Sequence, residues 1–189
     1  AALIESRDVD VVGIQEGVHD WLIGPGLPTD YSRADALGAA LGSCWDQRFQ
    51  IFVDVCKGNS FVSNDRFDLT DGPNATRTGE WAVISKDGLH YGMVNIHWDH
   101  ESATARAANA EETAAQVNSM AETPVVLVGD FNSSCTGSEV GTTISQAGMT
   151  LLGDAGIDCI IVRDFSGTSE TFDASPSDHP SLDATLTSN

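Results

Sequence analysis

The sequence has few cationic residues and no long hydrophobic run. Lys and Arg number 9 against 28 Asp and Glu in 189 residues, which gives a formal net charge of -19. So few and so dispersed, these cations cannot form the basic surface that supplies most non-specific affinity for nucleic acids. The apolar stretches 124–129 and 158–162 are far shorter than the roughly 18 to 20 residues that cross a bilayer. No transmembrane segment is therefore expected.

Cysteine is sparse and lacks a metal-binding pattern. The 4 cysteines form no CxxC pair and have no histidine at zinc-like spacing, which argues against a zinc ribbon. Their even number and the sequon Asn74-Ala75-Thr76 favour an oxidising compartment, although buried thiols of a cytosolic protein would look the same. We predict a secreted, extracellular protein. The first residues also lack the features of a signal peptide, so we expect a processed chain or one that begins inside a longer protein.

Hydrophobic periodicity predicts strands interleaved with helices. With 41% hydrophobic residues, a chain of this length can bury a sizeable core, and we expect one domain over 1–189. The predicted helices are 1–7, 33–42 and 102–121, the last with Ser102 as N-cap. The predicted strands are 9–16, 49–55, 80–85, 89–98, 123–132, 156–165 and 182–186. Turns and loops are predicted for 62–79. This order favours an α/β sandwich.

Clusters of polar residues follow several of the apolar runs. They are Gln15-Glu16, Asn95-x-His97-x-Asp99-His100, Gly129-Asp130-Phe131-Asn132, Asp158 and Ser177-Asp178-His179. A single cluster of this kind is usually a solvated loop or a helix cap. Carboxylate, amide and imidazole groups recur here at the ends of separate strands, which independent loops have no reason to share. The recurrence indicates one site built from loops at a sheet edge.

Five motifs occur along the chain in the order VVGIQEG, MVNIHWDH, VVLVGDFN, GIDCIIV and SDHPSLDATL. Together, in this order, they resemble the endonuclease/exonuclease/phosphatase superfamily. Its members include deoxyribonuclease-I-like nucleases, abasic-site endonucleases, neutral sphingomyelinases and inositol polyphosphate phosphatases. The resemblance implies a four-layered α/β sandwich, with two mainly antiparallel sheets flanked by helices and the site at one end. Relatives begin with a central strand that this chain lacks, so we expect the domain to be N-terminally incomplete.

The resemblance also implies a divalent cation and a histidine base. Glu16 and Asp178 match the family's metal-binding acids, and Mg²⁺ is the expected ion, with Mn²⁺ or Ca²⁺ as alternatives. His179 matches the catalytic base, and Asp158 matches the acid that orients it. We expect the metal ion and the two imidazoles to supply the positive charge that the composition lacks.

Further site residues follow from the same motifs. Asp130 and Asn132 match the pair that positions the nucleophile and contacts the scissile phosphate or the metal. His97 matches the histidine that stabilises the developing phosphorane oxygens, and Asn95 is expected to support the end of that strand. Arg106 falls where many relatives place an arginine, but a surface ion pair explains it equally well. Asp99 and His100 either extend the site or cap the helix that begins near Ser102.

Two features depend on the family comparison. Cys135 occupies a position where deoxyribonuclease-I-like proteins have a disulfide cysteine, which suggests the pair Cys135–Cys159 and leaves Cys44–Cys56 as the second. Sequence alone allows other connectivities. Many nucleases also place a glutamate near 57–65 that supports the first histidine, whereas this chain offers Gly58 and Asn59.

The leading functional hypothesis is a secreted, Mg²⁺-dependent phosphodiesterase of the deoxyribonuclease-I-like kind, with DNA as substrate. Its weak point is the net charge of -19, which repels a polyanion unless cations screen it. One alternative is a phosphatase or phospholipase-like esterase that acts on a small or lipid phosphate. A second is a non-catalytic binding or structural protein on the same fold. No protein partner can be predicted.

Overall fold

The computed structural model describes residues 1–17, 30–120, 124–175 and 177–189. The helices are α1 (Ala2–Ser6), α2 (Ser32–Leu41), α3 (Ala103–Ser119) and α4 (Ser138–Ala147), with a short 3₁₀ turn at Val55–Lys57. The strands are β1 (Val11–Gly13), β2 (Trp45–Arg48), β3 (Ile51–Asp54), β4 (Ser60–Leu69), β5 (Arg77–Lys86), β6 (Leu89–His97), β7 (Val125–Asp130), β8 (Thr150–Ala155), β9 (Asp158–Arg163), β10 (Phe165–Phe172) and β11 (Ser181–Ser188). No helix among the described residues is long and apolar enough to cross a membrane.

A six-stranded sheet in the order β4-β5-β6-β7-β9-β8 forms the centre of the fold. Its strands pair antiparallel except β6 and β7, which run parallel. A parallel neighbour requires a crossover, and α3 supplies it between the ends of these two strands. The carboxyl ends of β6 and β7 therefore lie side by side at one end of the sheet.

Smaller sheets and helices cover the two faces of the central sheet. On one face, Val117 of α3 and Val140 of α4 pack with Leu127 of β7. On the other face, the sheets β1-β3-β2 and β10-β11 contribute Val53 and Leu182 to a second apolar cluster. Helices α1 and α2 lie outside the β1-β3-β2 sheet in a third cluster. The resulting four layers confirm the α/β sandwich predicted from the sequence.

The longest helix, α3, begins at the predicted N-cap. Ser102 Oγ accepts a hydrogen bond from Ala105 N, which satisfies one of the free N–H groups at the start of α3. Strands β5 and β6 are joined by a tight turn, in which Asp87 and Gly88 both have positive φ. Residues 121 and 123, which belonged to a predicted helix and a predicted strand, lie outside the described residues.

Several elements differ from the sequence prediction. The prediction of turns and loops over 62–79 was wrong, because β4 and the first residues of β5 occupy most of this range. Strands β2, β8 and β10 and helix α4 were not predicted. The strand expected at 9–16 is limited to β1. The other predicted helices and strands form close to their expected bounds.

Candidate active site

Three of the predicted site residues form one row across the central sheet. In the strand register, His97 at the end of β6 lies opposite Asp130 at the end of β7, which lies opposite Asp158 at the start of β9. Side chains alternate between the two faces of a strand. Asn95, Val128 and Ile160 therefore share a face with this row, the face covered by the small sheets. The row lies at the sheet edge between the two β layers.

His179 reaches this row from the loop before β11. Its Nδ1 lies 3.0 Å from Asp158 Oδ2 and 3.9 Å from Asp130 Oδ2. His97 approaches from the other side, with Nε2 at 3.6 Å from Asp130 Oδ2. Asp130 thus lies between two imidazoles, and Asp158 contacts one of them.

The segment after β7 is held in a tight turn. Asp130 Oδ1 accepts a hydrogen bond from Asn132 N at 2.7 Å, and Asn132 Nδ2 donates to Trp98 O at 2.9 Å. Asn132 has a φ of 46°, in the left-handed region that Asn tolerates better than most residues. Gly129 approaches β6 so closely that a Cβ would overlap the Ile96 carbonyl oxygen. These contacts tie the ends of β6 and β7 together.

Glu16 lies on the loop that follows β1, and its side chain is exposed. Asn95 Nδ2 donates to Ile14 O at 2.8 Å, and Asn95 Oδ1 accepts from Gln15 Nε2 at 2.8 Å. Asn95 therefore supports this loop, although its predicted role was to support the end of β6. Gly17 N donates to the side chain of Gln50, which fixes the other side of the loop.

Asp99 and Arg106 hold the turn between β6 and α3. Asp99 is buried, and its Oδ1 accepts hydrogen bonds from Glu101 N and Ser102 N. Arg106 Nη1 donates to the carbonyl oxygens of Asp99 and His100. These contacts agree with the interpretation in which Asp99 caps the helix that begins near Ser102. Arg106 makes no surface ion pair with a described residue.

Residues at the start of β4, which is the end farther from the site, do not support His97. Asn59 is buried and donates Nδ2 to Asp54 O, and Gly58 ends the 3₁₀ turn. Ser60 pairs with Ser85, whereas Leu69 pairs with Arg77 near the end of β5 closest to the site. The stretch 57–65, where relatives place a supporting glutamate, therefore begins at the far end of the sheet.

Sequence reasoning missed two buried charges of β5. Arg77 Nη2 donates to His100 Nδ1 at 2.8 Å, and burial lowers its pKa, although the negative charges of Asp99, Asp130 and Glu16 oppose this effect. Glu80 is 1% exposed and accepts two hydrogen bonds from Gln50. Glu80 has the same strand parity as the buried Ala82 and Ile84, so period-2 alternation contained the signal for its burial.

Burial and charge set the protonation of the site in opposite directions for its two histidines. Burial lowers the pKa of His97 to about 3, which keeps this imidazole neutral, contrary to the expectation that both imidazoles carry charge. Burial also acts to lower the pKa of His179, but the negative charges of Asp158, Asp130 and Asp178 outweigh it and raise the pKa.

The carboxyl groups of the row favour a cation between them. Burial raises the pKa of Asp130 to about 6, and the neighbouring charge of Asp158 adds to the increase. Burial likewise raises the pKa of Asp158. Ligand atoms of Asp130, Asp158 and His179 all lie within 4.8 Å of one another. A hard divalent ion bound by such oxygen and nitrogen ligands would relieve this repulsion. Glu16 and Asp178 belong to no such cluster among the described residues.

Both predicted disulfides are present. Cys44 is bonded to Cys56, and Cys135 is bonded to Cys159. The second bridge joins the loop after Asn132 to β9, next to Asp158. It therefore links two of the segments that carry site residues.

A family model described as "Endonuclease/Exonuclease/phosphatase family" matches residues 1–189. This match confirms the resemblance drawn from the motifs. No curated protein matches the sequence.

Solved structures show the same fold at low sequence identity. A mannosyl-6-phosphatase from Bacteroides thetaiotaomicron VPI-5482 superposes with a TM-score of 0.75 at 18% identity, covering 98% of this chain and 88% of that one. TDP2 of D. rerio, in complex with a single-strand DNA product, has a TM-score of 0.74 at 12% identity, covering 99% and 89%. Sphingomyelinase C from Streptomyces griseocarneus has a TM-score of 0.60 at 13% identity, covering 93% and 82%. At these identities the likeness concerns the fold alone.

Proposed function

We propose that this chain, which belongs to the endonuclease/exonuclease/phosphatase family of phosphoester hydrolases, is a divalent-metal-dependent phosphodiesterase of the deoxyribonuclease-I-like kind that acts on DNA. The observation that carries the proposal is the contact of His179 Nδ1 with Asp158 Oδ2 at 3.0 Å, beside Asp130. An imidazole oriented by a carboxylate suits proton abstraction from water. The DNA complex of the fold neighbour TDP2 supports this choice of substrate.

The roles of the two histidines follow from their contacts. Because His179 Nδ1 donates to Asp158, its Nε2 is the nitrogen that accepts a proton from the attacking water. The water oxygen then bonds to phosphorus, the bond from phosphorus to the leaving oxygen breaks, and the leaving oxygen keeps the electron pair and takes up a proton from solvent. Neutral His97 donates a hydrogen bond to a phosphoryl oxygen, and Asp130 and Asn132 position the water and the phosphate.

The acidic residues of the site suit a hard cation. In this proposal Glu16 and Asp178 bind Mg²⁺, with Mn²⁺ or Ca²⁺ as substitutes, next to the cluster of Asp130, Asp158 and His179. A divalent ion held by these residues would supply positive charge to the phosphate oxygens, in a chain that has only 9 Lys and Arg. Secretion is part of the same proposal, since two disulfides are stable in an oxidising compartment.

A second candidate is a phosphatase or phospholipase-like esterase that acts on a small or lipid phosphate. The net charge of -19 favours it, because a small substrate is repelled less than a polyanion. The mannosyl-6-phosphatase among the fold neighbours is consistent with this candidate.

The test compares supercoiled plasmid, bis(p-nitrophenyl) phosphate and p-nitrophenyl phosphate, each with Mg²⁺, Mn²⁺ or chelator. Plasmid nicking and diester hydrolysis that need metal, and that fall by about 10² to 10⁴ in His179→Ala, support the phosphodiesterase. His90→Ala is the matched control, because His90 is exposed at the far end of β6. Release of phosphate from the monoester alone favours the second candidate. No hydrolysis of any of these substrates would contradict the phosphodiesterase, and a wild-type chain that also binds no Mg²⁺ or Mn²⁺ would indicate a non-catalytic protein.

A further inference from the structure

We propose that Glu80 is a positioning residue, which holds the loop of Glu16 in place by fixing the orientation of the side-chain amides of Gln50 and Asn95. The inference rests on the proposed function, in which Glu16 binds a divalent cation. Among the described residues, Glu80 contacts none of those to which the proposed mechanism assigns a role.

Glu80 is a buried carboxyl group surrounded by hydrogen-bond donors. Its Oε2 accepts from Gln50 N at 2.9 Å, and its Oε1 accepts from Gln50 Nε2 at 3.0 Å. The Asn95 amide and the Tyr31 hydroxyl lie near the same carboxyl and favour its charged form, which lowers its pKa. An ionised carboxylate only accepts hydrogen bonds, so each of these neighbours must present a donor to it.

This requirement sets the orientation of the Gln50 amide. Nε2 faces Glu80, so Oε1 is left on the opposite side, where it accepts from Gly17 N at 2.5 Å. The Gln50 carbonyl oxygen also accepts from Ile14 N at 3.0 Å. Gln50 therefore holds the backbone on both sides of Glu16. A Cβ on Gly17 would lie 2.9 Å from Gln50 Oε1 and would push this oxygen from its present position.

The same requirement sets the orientation of Asn95, which pairs with Glu80 in the β5–β6 register. Asn95 uses its Nδ2 group as the donor and also donates with it to Ile14 O. Its Oδ1 is left to accept from Gln15 Nε2. Two amides oriented by one carboxylate thus fix residues 14, 15 and 17.

Glu16 needs this support because its backbone is in an unfavourable conformation. Its φ is 57°, in the left-handed region that costs a non-glycine residue free energy. Such a conformation persists only when the surrounding contacts over-determine it. Without the fixed amides, the loop relaxes and the Glu16 carboxylate leaves the position from which it binds the cation.

The experiment measures the dissociation constant of Mn²⁺ by electron paramagnetic resonance on the full 189-residue chain at pH 8. In Glu80→Gln, an amide replaces the carboxylate and presents a donor to one of the Gln50 donors. We expect Mn²⁺ affinity to fall about tenfold or more, as for other residues that orient a metal ligand. Thr143→Val, which removes a buried hydroxyl of α4 bonded to Ala110 O, should bind Mn²⁺ as the wild type does.

The double variant Glu80→Gln/Gln50→Glu separates orientation from simple packing. The amide at position 80 donates to a carboxylate at position 50, whose other oxygen still accepts from Gly17 N. We expect it to recover most of the lost Mn²⁺ affinity. Unchanged affinity in Glu80→Gln, or equal loss in the single and the double variant, would overturn the inference.

Hydrogen exchange of the Gly17 amide, followed by NMR without metal, distinguishes this inference from the proposed function. Exchange should be faster in Glu80→Gln and slow again in the double variant. If the wild type binds no Mn²⁺ but this exchange pattern holds, the metal assignment fails and the positioning role of Glu80 stands. If the exchange rate does not change in Glu80→Gln, the positioning role fails even where the wild type binds Mn²⁺.

Discussion

The buried carboxyl group of Glu80 makes the free energy of unfolding depend on pH. Glu80 is 1% exposed, and burial raises its pKa from the usual 4.5 to about 7, although hydrogen bonds from Gln50 favour the charged form. The folded state therefore keeps this proton to a higher pH than the unfolded chain does. The stability due to this group is complete below about pH 4.5 and is lost as the pH rises through about 7.

We predict that Glu80→Gln weakens this pH dependence, because the amide does not ionise. The free energy of unfolding of the wild type should fall by about 3 kcal/mol more than that of Glu80→Gln between pH 4.5 and pH 8. Urea unfolding at both pH values measures the difference. Glu111→Gln, at an exposed position of α3, should behave as the wild type. Parallel pH profiles for Glu80→Gln and the wild type would contradict the prediction.

The residues of the row were predictable because they lie at the ends of strands. His97, Asp130 and Asp158 follow or begin apolar runs in the sequence, and the register of β6, β7 and β9 places them in one row. Residues behind the row were not predictable in the same way. Gln50 contacts the Glu16 loop through a pairing between distant segments, and no local pattern in the sequence encodes that contact.

At the scale of elements, α4 has one glycine inside the helix and one at its C-terminal cap. Both have room for a side chain, but their backbone conformations differ. Gly141 lies inside the helix, and Gly148 caps its end with a φ of 63°. Nothing lies within 4 Å of a Cβ built on either residue. A substitution at these positions therefore changes the backbone preference without changing the packing.

We predict opposite effects for alanine at these two positions. Gly141→Ala should raise the free energy of unfolding by about 0.5 to 1 kcal/mol, because alanine loses less backbone entropy in a helix. Gly148→Ala should lower it by about 1 kcal/mol, because the left-handed conformation crowds the Cβ. Chemical denaturation measures both values. Effects of the same sign would show that backbone preference does not govern these sites.

Strand β4 shows why an element can escape sequence-based prediction. It lies at the edge of the central sheet, and its register shifts between Phe61 and Ser63, which interrupts the period-2 alternation. Its central residues Ser63, Asn64 and Asp65 are typical of turns. Polar residues are tolerated there because an edge strand has a solvated side. By contrast, β7 is apolar along most of its length and was predicted.

At the scale of the molecule, two disulfides restrict the unfolded chain. Cys44–Cys56 spans 12 residues and Cys135–Cys159 spans 24. Closing loops of these lengths removes enough entropy from the unfolded state to stabilise the fold by about 3 kcal/mol each, with the longer loop contributing more.

We predict that Cys135→Ala/Cys159→Ala lowers the free energy of unfolding by about 3 kcal/mol or more, and more than Cys44→Ala/Cys56→Ala does. Cys135 and Cys159 are also buried, whereas Cys56 is exposed. The Cys135→Ala/Cys159→Ala variant therefore loses packing as well. Urea unfolding of the two double variants tests the order. A larger loss in the second variant would contradict it.

The net charge of -19 sets the response of the whole molecule to salt. Most DNA-binding proteins release counterions from DNA, so their affinity falls as salt rises. In the proposed reaction on DNA both partners are negative, and at low ionic strength their repulsion extends over a Debye length of about 30 Å, against about 8 Å at 0.15 M. We therefore predict that plasmid cleavage at constant Mg²⁺ accelerates severalfold between about 0.01 and 0.15 M NaCl. Hydrolysis of bis(p-nitrophenyl) phosphate, a small monoanion, serves as the control and should change much less. A plasmid rate that falls with salt would reveal a local basic surface that outweighs the net charge.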